Sequence, residues 1–122
     1  MVAELAWVQL RQGSVGHARH SFLDSVDAYT DIGSVRGVGI ALRGLASTAA
    51  AEGRFEQAVQ LASAAEVYAM EDGIVNVYLD ETSGRNFIER ARAAMSAEEI
   101  ERATEVGRGL SIRDSLALAR SI

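Results

Sequence analysis

The sequence contains no cysteine, no proline and no lysine, and only 6% of its 122 residues are aromatic. Without cysteine, the chain has no disulfide, thiolate zinc site or cysteine nucleophile, and this composition suits a cytoplasmic protein. Without proline, long helices can continue uninterrupted, and glycine is left as the main residue that ends them. Alanine, the strongest helix former, occurs in every segment. The sequence therefore predicts an all-α fold.

Positive charge and long apolar runs are also scarce. Seventeen acidic residues against twelve arginines give a net charge of -5, which provides no general attraction to nucleic acid or to an anionic membrane. No run approaches the roughly 20 apolar residues of a membrane span. Polar residues also interrupt the amino-terminal region where a signal peptide would lie. We therefore expect a soluble single domain without direct nucleic acid contact and without membrane contact.

Glycine residues divide the first part of the chain into predicted helices over residues 2–12, 15–32, 35–52 and 55–71. The second helix repeats apolar residues every three or four positions, which predicts one buried stripe of Val15, Ala18, Phe22, Val26 and Tyr29. Ser14 is predicted to cap this helix. The fourth helix has two apolar rows, so we expect neighbouring helices on two of its sides: Ala58, Ala62, Ala65 and Ala69 in one row, and Leu61, Ala64 and Tyr68 in the other.

The first pair of helices and the second pair are related by an internal repeat. Shifting the sequence by 40 residues aligns five identical pairs: Leu5 with Leu45, Ala6 with Ala46, Gly13 with Gly53, Ala18 with Ala58, and Gly33 with Gly73. Helix-turn-helix units of this kind gain stability by stacking. Gly13, Ala18 and Phe22 match part of the tetratricopeptide pattern, although that repeat is shorter, at about 34 residues. We therefore predict a tetratricopeptide-like α-solenoid of about seven helices, with two repeats in residues 1–73.

The remaining residues, 74–122, break the repeat and are predicted to form capping helices of the same domain. IVNVYL (74–79) is rich in β-branched residues but has no second strand candidate, so we interpret it as a packed connector. A helix is predicted next, over residues 81–95. It carries a charged group that we interpret as a surface ion-pair set: Arg85, Glu89, Arg90 and Arg92.

Serine residues mark the starts of the last two predicted helices. SAEE (96–99) has the pattern of a capping box and predicts a helix to about residue 106. Ser111 and Asp114 are expected to start the final helix in the same way. This helix is predicted to close the end of the stack and to bury Ile112, Leu116 and Ala119.

Three parts of the chain carry a family resemblance: ALRGLA (41–46), the helix hairpin of residues 53–66, and the group Gly107, Arg108, Leu110 and Ser111. Together with the rest of residues 35–119, they resemble the carboxy-terminal helical repeat region of large bacterial transcriptional regulators of the LuxR type. Those regulators carry an ATPase module upstream. The resemblance implies a sensor and interaction arm that restrains or releases the ATPase and DNA-binding parts. The implied partners are the upstream ATPase or other domains of the same regulator, another protein, or a small effector, and no cofactor is expected.

The glycine-rich stretch GSVRGVGIALRG (33–44) raises the question of a nucleotide site. A dinucleotide fingerprint requires a strand before its glycines, whereas the preceding VDAYTDI (26–32) is predicted to be helical. The glycines also miss the GxGxxG spacing. A GxxxxGK[ST] loop is absent as well, and no lysine exists to complete one. We therefore interpret these glycines as a turn and as positions of close helix approach.

HARHSFLD (17–24) places His17, His20 and Asp24 on adjacent turns of one helix, where they could bind a metal or form an acid/base cluster. A small metal-dependent hydrolase is therefore an alternative function. We favour a solvated helix face, because a hydrolytic zinc site needs further ligands and supporting partners around them. Ser21 and Ser25 lie on regular helix, which lacks the strained turn and oxyanion hole of a serine nucleophile. No catalytic, metal-binding or cofactor-binding residue is assigned.

The sequence thus favours a non-enzymatic domain of a bacterial transcriptional regulator that binds protein or senses an effector. Its groove would be lined by the first helix of each pair, which gives four candidate contact residues: Trp7, Arg11, Arg43 and Thr48. An uncovered repeat edge invites self-association, so we expect a homodimer through the apolar amino-terminal residues Val2, Leu5, Trp7 and Val8. A free-standing adaptor protein is the other alternative.

Overall fold

The described structure is built from helices. The computed structural model describes residues 2–69 and 85–121, and within these two ranges there are seven helices and no strand. The predicted all-α fold is confirmed, and the first three helices end within one residue of their predicted bounds. The predicted connector at 74–79 and the start of the helix predicted over 81–95 lie outside the described residues. In chain order the helices are α1 (Val2–Arg11), α2 (Val15–Asp31), α3 (Val35–Ala51), α4 (Phe55–Ala69), α5 (Arg85–Ala93), α6 (Ala97–Arg108) and α7 (Ile112–Ser121).

One turn closes each of the first three helices. Gly13, Gly33 and Gly53 follow each other at intervals of 20 residues and have φ values of 86°, 72° and 81°. This left-handed region suits glycine, which has no Cβ to clash with the backbone. In each turn the residue after the glycine donates its N–H to a carbonyl five residues earlier, at 2.9 Å: Ser14 to Gln9, Ser34 to Tyr29, and Arg54 to Ala49. The turn therefore recurs at half the interval of the predicted repeat.

The helix starts differ in how their serines are used. Ser34 accepts a hydrogen bond from the backbone N–H of Gly37, at 3.1 Å. Ser14 makes no capping hydrogen bond through its side chain, so that part of the prediction is wrong. Its backbone explains the difference: ψ is 64° at Ser14, short of the extended value of 92° that orients the Ser34 hydroxyl toward its own helix.

The main apolar core runs through α1 to α4 and includes part of α7. Helix α3 lies at its centre, with twelve of its 17 residues buried. It packs against α2 and α4 and also contacts α1, α5 and α7. The predicted stripe of α2 is confirmed, because Ala18, Phe22 and Val26 are fully buried and Val15 and Tyr29 pack against the core. The two apolar rows of α4 are confirmed from Ala58 to Tyr68.

The glycines inside α3 allow two aromatic rings of α2 to approach its backbone. A Cβ added at Gly37 would collide with the ring of Tyr29, and one added at Gly44 would collide with the ring of Phe22. Both glycines lie within a continuous helix and are buried. The interpretation of this stretch as a site of close helix approach is therefore confirmed.

A smaller core joins α5 and α6 to α3 and α4. Helix α6 crosses α4 closely at Gly107, where a Cβ would collide with the carbonyl oxygen of Gln60. The buried members of this core are mostly alanines: Ala49, Ala50, Ala58, Val59, Ala91 and Ala103.

None of the helices in the described ranges is long and apolar enough to cross a membrane.

Candidate functional site

Two of the four predicted contact residues lie in the core. Trp7 is only 7% exposed, and its ring meets Phe22 edge to face at a centroid distance of 4.8 Å. Thr48 is buried and donates its hydroxyl to the carbonyl of Leu45 at 2.7 Å. The expected surface positions of these two residues are corrected, because neighbouring helices cover α3 on most of its sides and Trp7 packs on α2. Arg11 is exposed and Arg43 is half-buried, and a role for either in binding stays a prediction.

The three residues of the alternative metal site lie on the outer face of α2. His20 Nε2 and Asp24 Oδ2 are 3.5 Å apart, with side chains that are 80% and 62% exposed. His17 is also exposed. Among the described residues, no group of three or more His, Asp or Glu side chains is arranged to hold a metal ion. His17 is therefore not brought to the His20–Asp24 pair as a third ligand.

The neighbouring serines of α2 have structural hydrogen bonds. Ser21 donates its hydroxyl to Oε1 of Gln9 at 2.8 Å and thereby joins α2 to α1. Ser25 is fully buried and donates to the carbonyl of Ser21, also at 2.8 Å. The Ser21 hydroxyl thus bonds across the contact of α1 with α2, and the Ser25 hydroxyl bonds within α2.

Two histidines and three aspartates form an exposed stripe along the outer face of α2. Its members recur every three or four positions, so they share one side of the helix: His17, His20, Asp24, Asp27 and Asp31.

In the predicted arginine group of α5, Arg90 and Arg92 are exposed, whereas the side chain of Arg85 lies outside the described residues.

Helix α7 covers part of the main core and meets α2, α3 and α4. Its Ala119 belongs to the main core, and Ile112, Leu116 and Leu118 pack against that core. The helix contacts α3 and α4. Arg120 Nη2 lies 3.4 Å from Oδ1 of Asp27 on α2. The predicted burial is confirmed for Ala119 and in part for Ile112 and Leu116, which are half-buried, and the role of α7 as a cap at the end of the stack stays a prediction.

Tyr68 fixes the connection that leads into α7. Its hydroxyl donates to the carbonyl oxygen of Leu110 at 2.7 Å. Burial raises the pKa of Tyr68, and the nearby carboxylate of Asp114 raises it further. No local pattern predicts this contact, because 42 positions separate the two residues.

The starts of α6 and α7 have serine caps, as predicted. Ser96 accepts from the N–H of Glu99 at 3.1 Å, and the Glu99 carboxylate accepts from the N–H of Ser96 at 3.0 Å. These hydrogen bonds with Ser96, first through the backbone and then through the side chain, lower the pKa of Glu99. Ser111 accepts from the N–H of Asp114 at 3.0 Å. The capping box is therefore confirmed in full for α6.

Searches with this chain against protein-family models, curated proteins and solved structures found no match.

Proposed function

We propose that the chain is a non-enzymatic, tetratricopeptide-like helical repeat domain of a bacterial transcriptional regulator. In this proposal it acts in the cytoplasm, where it binds another domain of the regulator, a separate protein or a small effector. The sequence resemblance is the reason for proposing a regulator. The helix packing supports a mode of action in which a partner binds on a surface made by stacked helices.

The recurrence of one helix-ending turn is the observation that carries the proposal. Gly13, Gly33 and Gly53 end successive helices with the same backbone conformation. Each of these helices packs on the next, from α1 through α4, and α1 also touches α3. Stacked repeats make contacts of this kind between neighbouring units, and they use the resulting extended surfaces for binding.

The charges of the exposed surface indicate what such a partner would meet. The outer face of α2 offers Asp24, Asp27 and Asp31 to solvent, which favours a basic partner. Of the contact residues predicted from sequence, Arg11 and Arg43 are the two that are not buried.

The mass of the natural gene product tests the link to a regulator. An antibody raised against this segment should detect, in extracts of the source cells, a band several times heavier than 13.0 kDa. A band near 13.0 kDa would contradict the regulator and would favour the free-standing adaptor.

A matched pair of variants then tests the restraining role in the natural gene product. Ala58 is fully buried, so Ala58→Arg should disrupt this domain, whereas Glu66→Arg adds the same side chain at an exposed position of the same helix. If the domain restrains the upstream ATPase, ATP turnover and DNA binding change in the Ala58 variant and stay as in the parent in the Glu66 variant. Equal behaviour of both variants contradicts the restraining role.

A further inference from the structure

Helix α7 covers the main core with little deeply buried surface of its own. Its buried side chains are the small residues Ser115 and Ala119, while Ile112, Leu116 and Leu118 are half-buried. The Ser115 hydroxyl bonds within the helix, to the carbonyl of Ser111. Because the hydrophobic effect scales with the apolar area removed from water, α7 is held less strongly than the central helix α3.

Two polar contacts, one near each end, tie this segment to the rest of the described chain. At the beginning, Tyr68 donates to the carbonyl of Leu110. At the end, Arg120 meets Asp27, but the two side chains are 57% and 58% exposed. Ion pairs that are this exposed contribute little to stability because water and salt screen them.

The length of α7 also favours local detachment. It has 10 residues, and isolated helices shorter than about 12–15 residues are marginal in water. Elements with few buried contacts open at a lower free energy than the whole domain. When α7 opens, it uncovers an apolar face on α3 and α4 beside Asp27 of α2.

We propose that this face of α3 and α4 is a docking site for an amphipathic helix of a partner protein, and that α7 is the resident helix which the partner displaces. The chemistry of the partner follows from α7 itself. The partner helix carries apolar or small residues at the spacing of Ile112, Leu116 and Ala119. A basic residue follows them directly and takes the place of Arg120 beside Asp27. The inference rests on the proposed function, since it names the partner of an interaction domain. Amphipathic helices that bind grooves commonly use such spacing.

A labelled peptide with the sequence of residues 109–121 is the probe for this site. Fluorescence anisotropy measures its binding to the full chain and to the Leu116→Asp chain, whose resident helix is loosened. We expect weak binding to the parent chain and at least tenfold tighter binding to the variant, because apparent affinity follows the fraction of chains whose site is open. Equal affinity for the two chains would overturn the proposal.

Charge exchange tests the register of the docked helix. At low ionic strength, where exposed charges are screened least, a peptide with Arg120→Asp should bind the Leu116→Asp chain more weakly than the parent peptide does. Adding Asp27→Arg to the chain should restore the affinity of this peptide. A peptide with Arg113→Asp has the same net charge and serves as the control, since Arg113 is exposed and belongs to the first turn of α7, away from the Arg120 end. If Asp27→Arg raises the affinity of the Arg120→Asp and Arg113→Asp peptides equally, or raises the affinity of neither, the proposed site is contradicted.

Two further measurements keep the outcome clear. Circular dichroism checks that the Leu116→Asp chain retains its helices; if it does not, Arg120→Asp in the chain is the second variant, and it should tighten peptide binding by a smaller factor. Light scattering without peptide compares the parent chain with the Leu116→Asp chain, and the two should have the same mass, whether or not the amino-terminal edge forms a dimer. A mass that doubles only in the Leu116→Asp chain would overturn the assignment to a partner protein, because a second copy would then supply the helix. The peptide result is independent of the natural gene product's mass, so failure of the regulator proposal and failure of this site are distinguishable.

Discussion

The two described regions of the chain control their helix ends in different ways. In residues 2–69, a glycine with positive φ closes α1, α2 and α3. In residues 85–121, serine hydroxyls open α6 and α7. Serine caps occur in both regions, because Ser34 also caps α3. The difference lies in the left-handed glycine turns, which end the helices of the first region, whereas Gly109 after α6 has a φ of -89°.

Burial also differs between the two regions, and it is greater in residues 2–69. Helices α2, α3 and α4 have 17, 17 and 15 residues, and α3 is buried over most of its length. Helices α5, α6 and α7 have 9, 12 and 10 residues, and α6 and α7 each bury two residues within their lengths. The first region is stabilised chiefly by packing, and the second depends more on caps and on docking to the first. We expect substitutions to separate the regions accordingly.

The largest effect is expected at the helix interface of the first region. Ala58→Arg would place a charge where the side chain is fully buried, and we expect it to lower the free energy of unfolding by about 4 kcal/mol. Urea denaturation of the purified chain measures the loss. Glu66→Arg, on the exposed side of the same helix, is the control and should differ little from the parent. If Ala58→Arg unfolds like the parent, the assigned packing of α4 is wrong.

The next effect concerns the contact between Phe22 and Gly44. Gly44→Ala adds a Cβ against the buried ring, and relieving this overlap should cost about 2 kcal/mol. Gly16→Ala provides a matched control on α2, because nothing lies near its Cβ position. That control should raise stability by about 0.5 kcal/mol, since alanine favours helix. Equal thermal midpoints for the two variants would contradict the close approach of α2 and α3.

A pair of glycine variants compares the turns of the two regions directly. Gly53→Ala forces a side chain into the left-handed region and should cost about 1.5 kcal/mol. Gly109 has a φ of -89°, which any residue adopts, so Gly109→Ala should change stability by less than about 0.5 kcal/mol. Denaturation midpoints measure both changes. A larger loss at Gly109 would reverse the assigned difference between the turns.

Removing the serine side chains at two helix starts tests which of these serines caps its helix. Ser96→Ala removes a side-chain acceptor from the capping box and should cost about 1 kcal/mol. Ser14→Ala should have an effect below about 0.5 kcal/mol, because that side chain makes no capping bond. Hydrogen exchange at the first turns of α6 and α2 locates the two effects. Similar increases in exchange at both helices would show that the caps are equivalent.

Much of the fold could be predicted from local sequence. The Ser14 cap fails because of its local backbone angle, whereas the errors at Trp7 and Thr48 share another cause. The absence of proline and the spacing of Gly13, Gly33 and Gly53 indicate the helix ends directly. The apolar spacing in α2 and α4 indicates their buried faces. The prediction that Trp7 and Thr48 are contact residues fails because helical spacing alone does not show how many neighbours α1 and α3 acquire. The position of α7 depends on contacts between residues that are far apart in sequence, such as Asp27 with Arg120, which a local pattern does not contain.

The smallest expected effect is a pH dependence of the contact between the two regions. The pKa of Tyr68 is raised from 10.0 in the folded chain by burial and by Asp114, so folding favours the protonated phenol. The resulting stability is fully present below the unfolded pKa of about 10 and is lost as the pH rises through the higher folded pKa. Hydrogen exchange should therefore show α7 losing protection above pH 10 before α3 does. In Tyr68→Phe, which has no phenol to ionise, this additional loss should disappear, and its persistence would assign the pH dependence to another group.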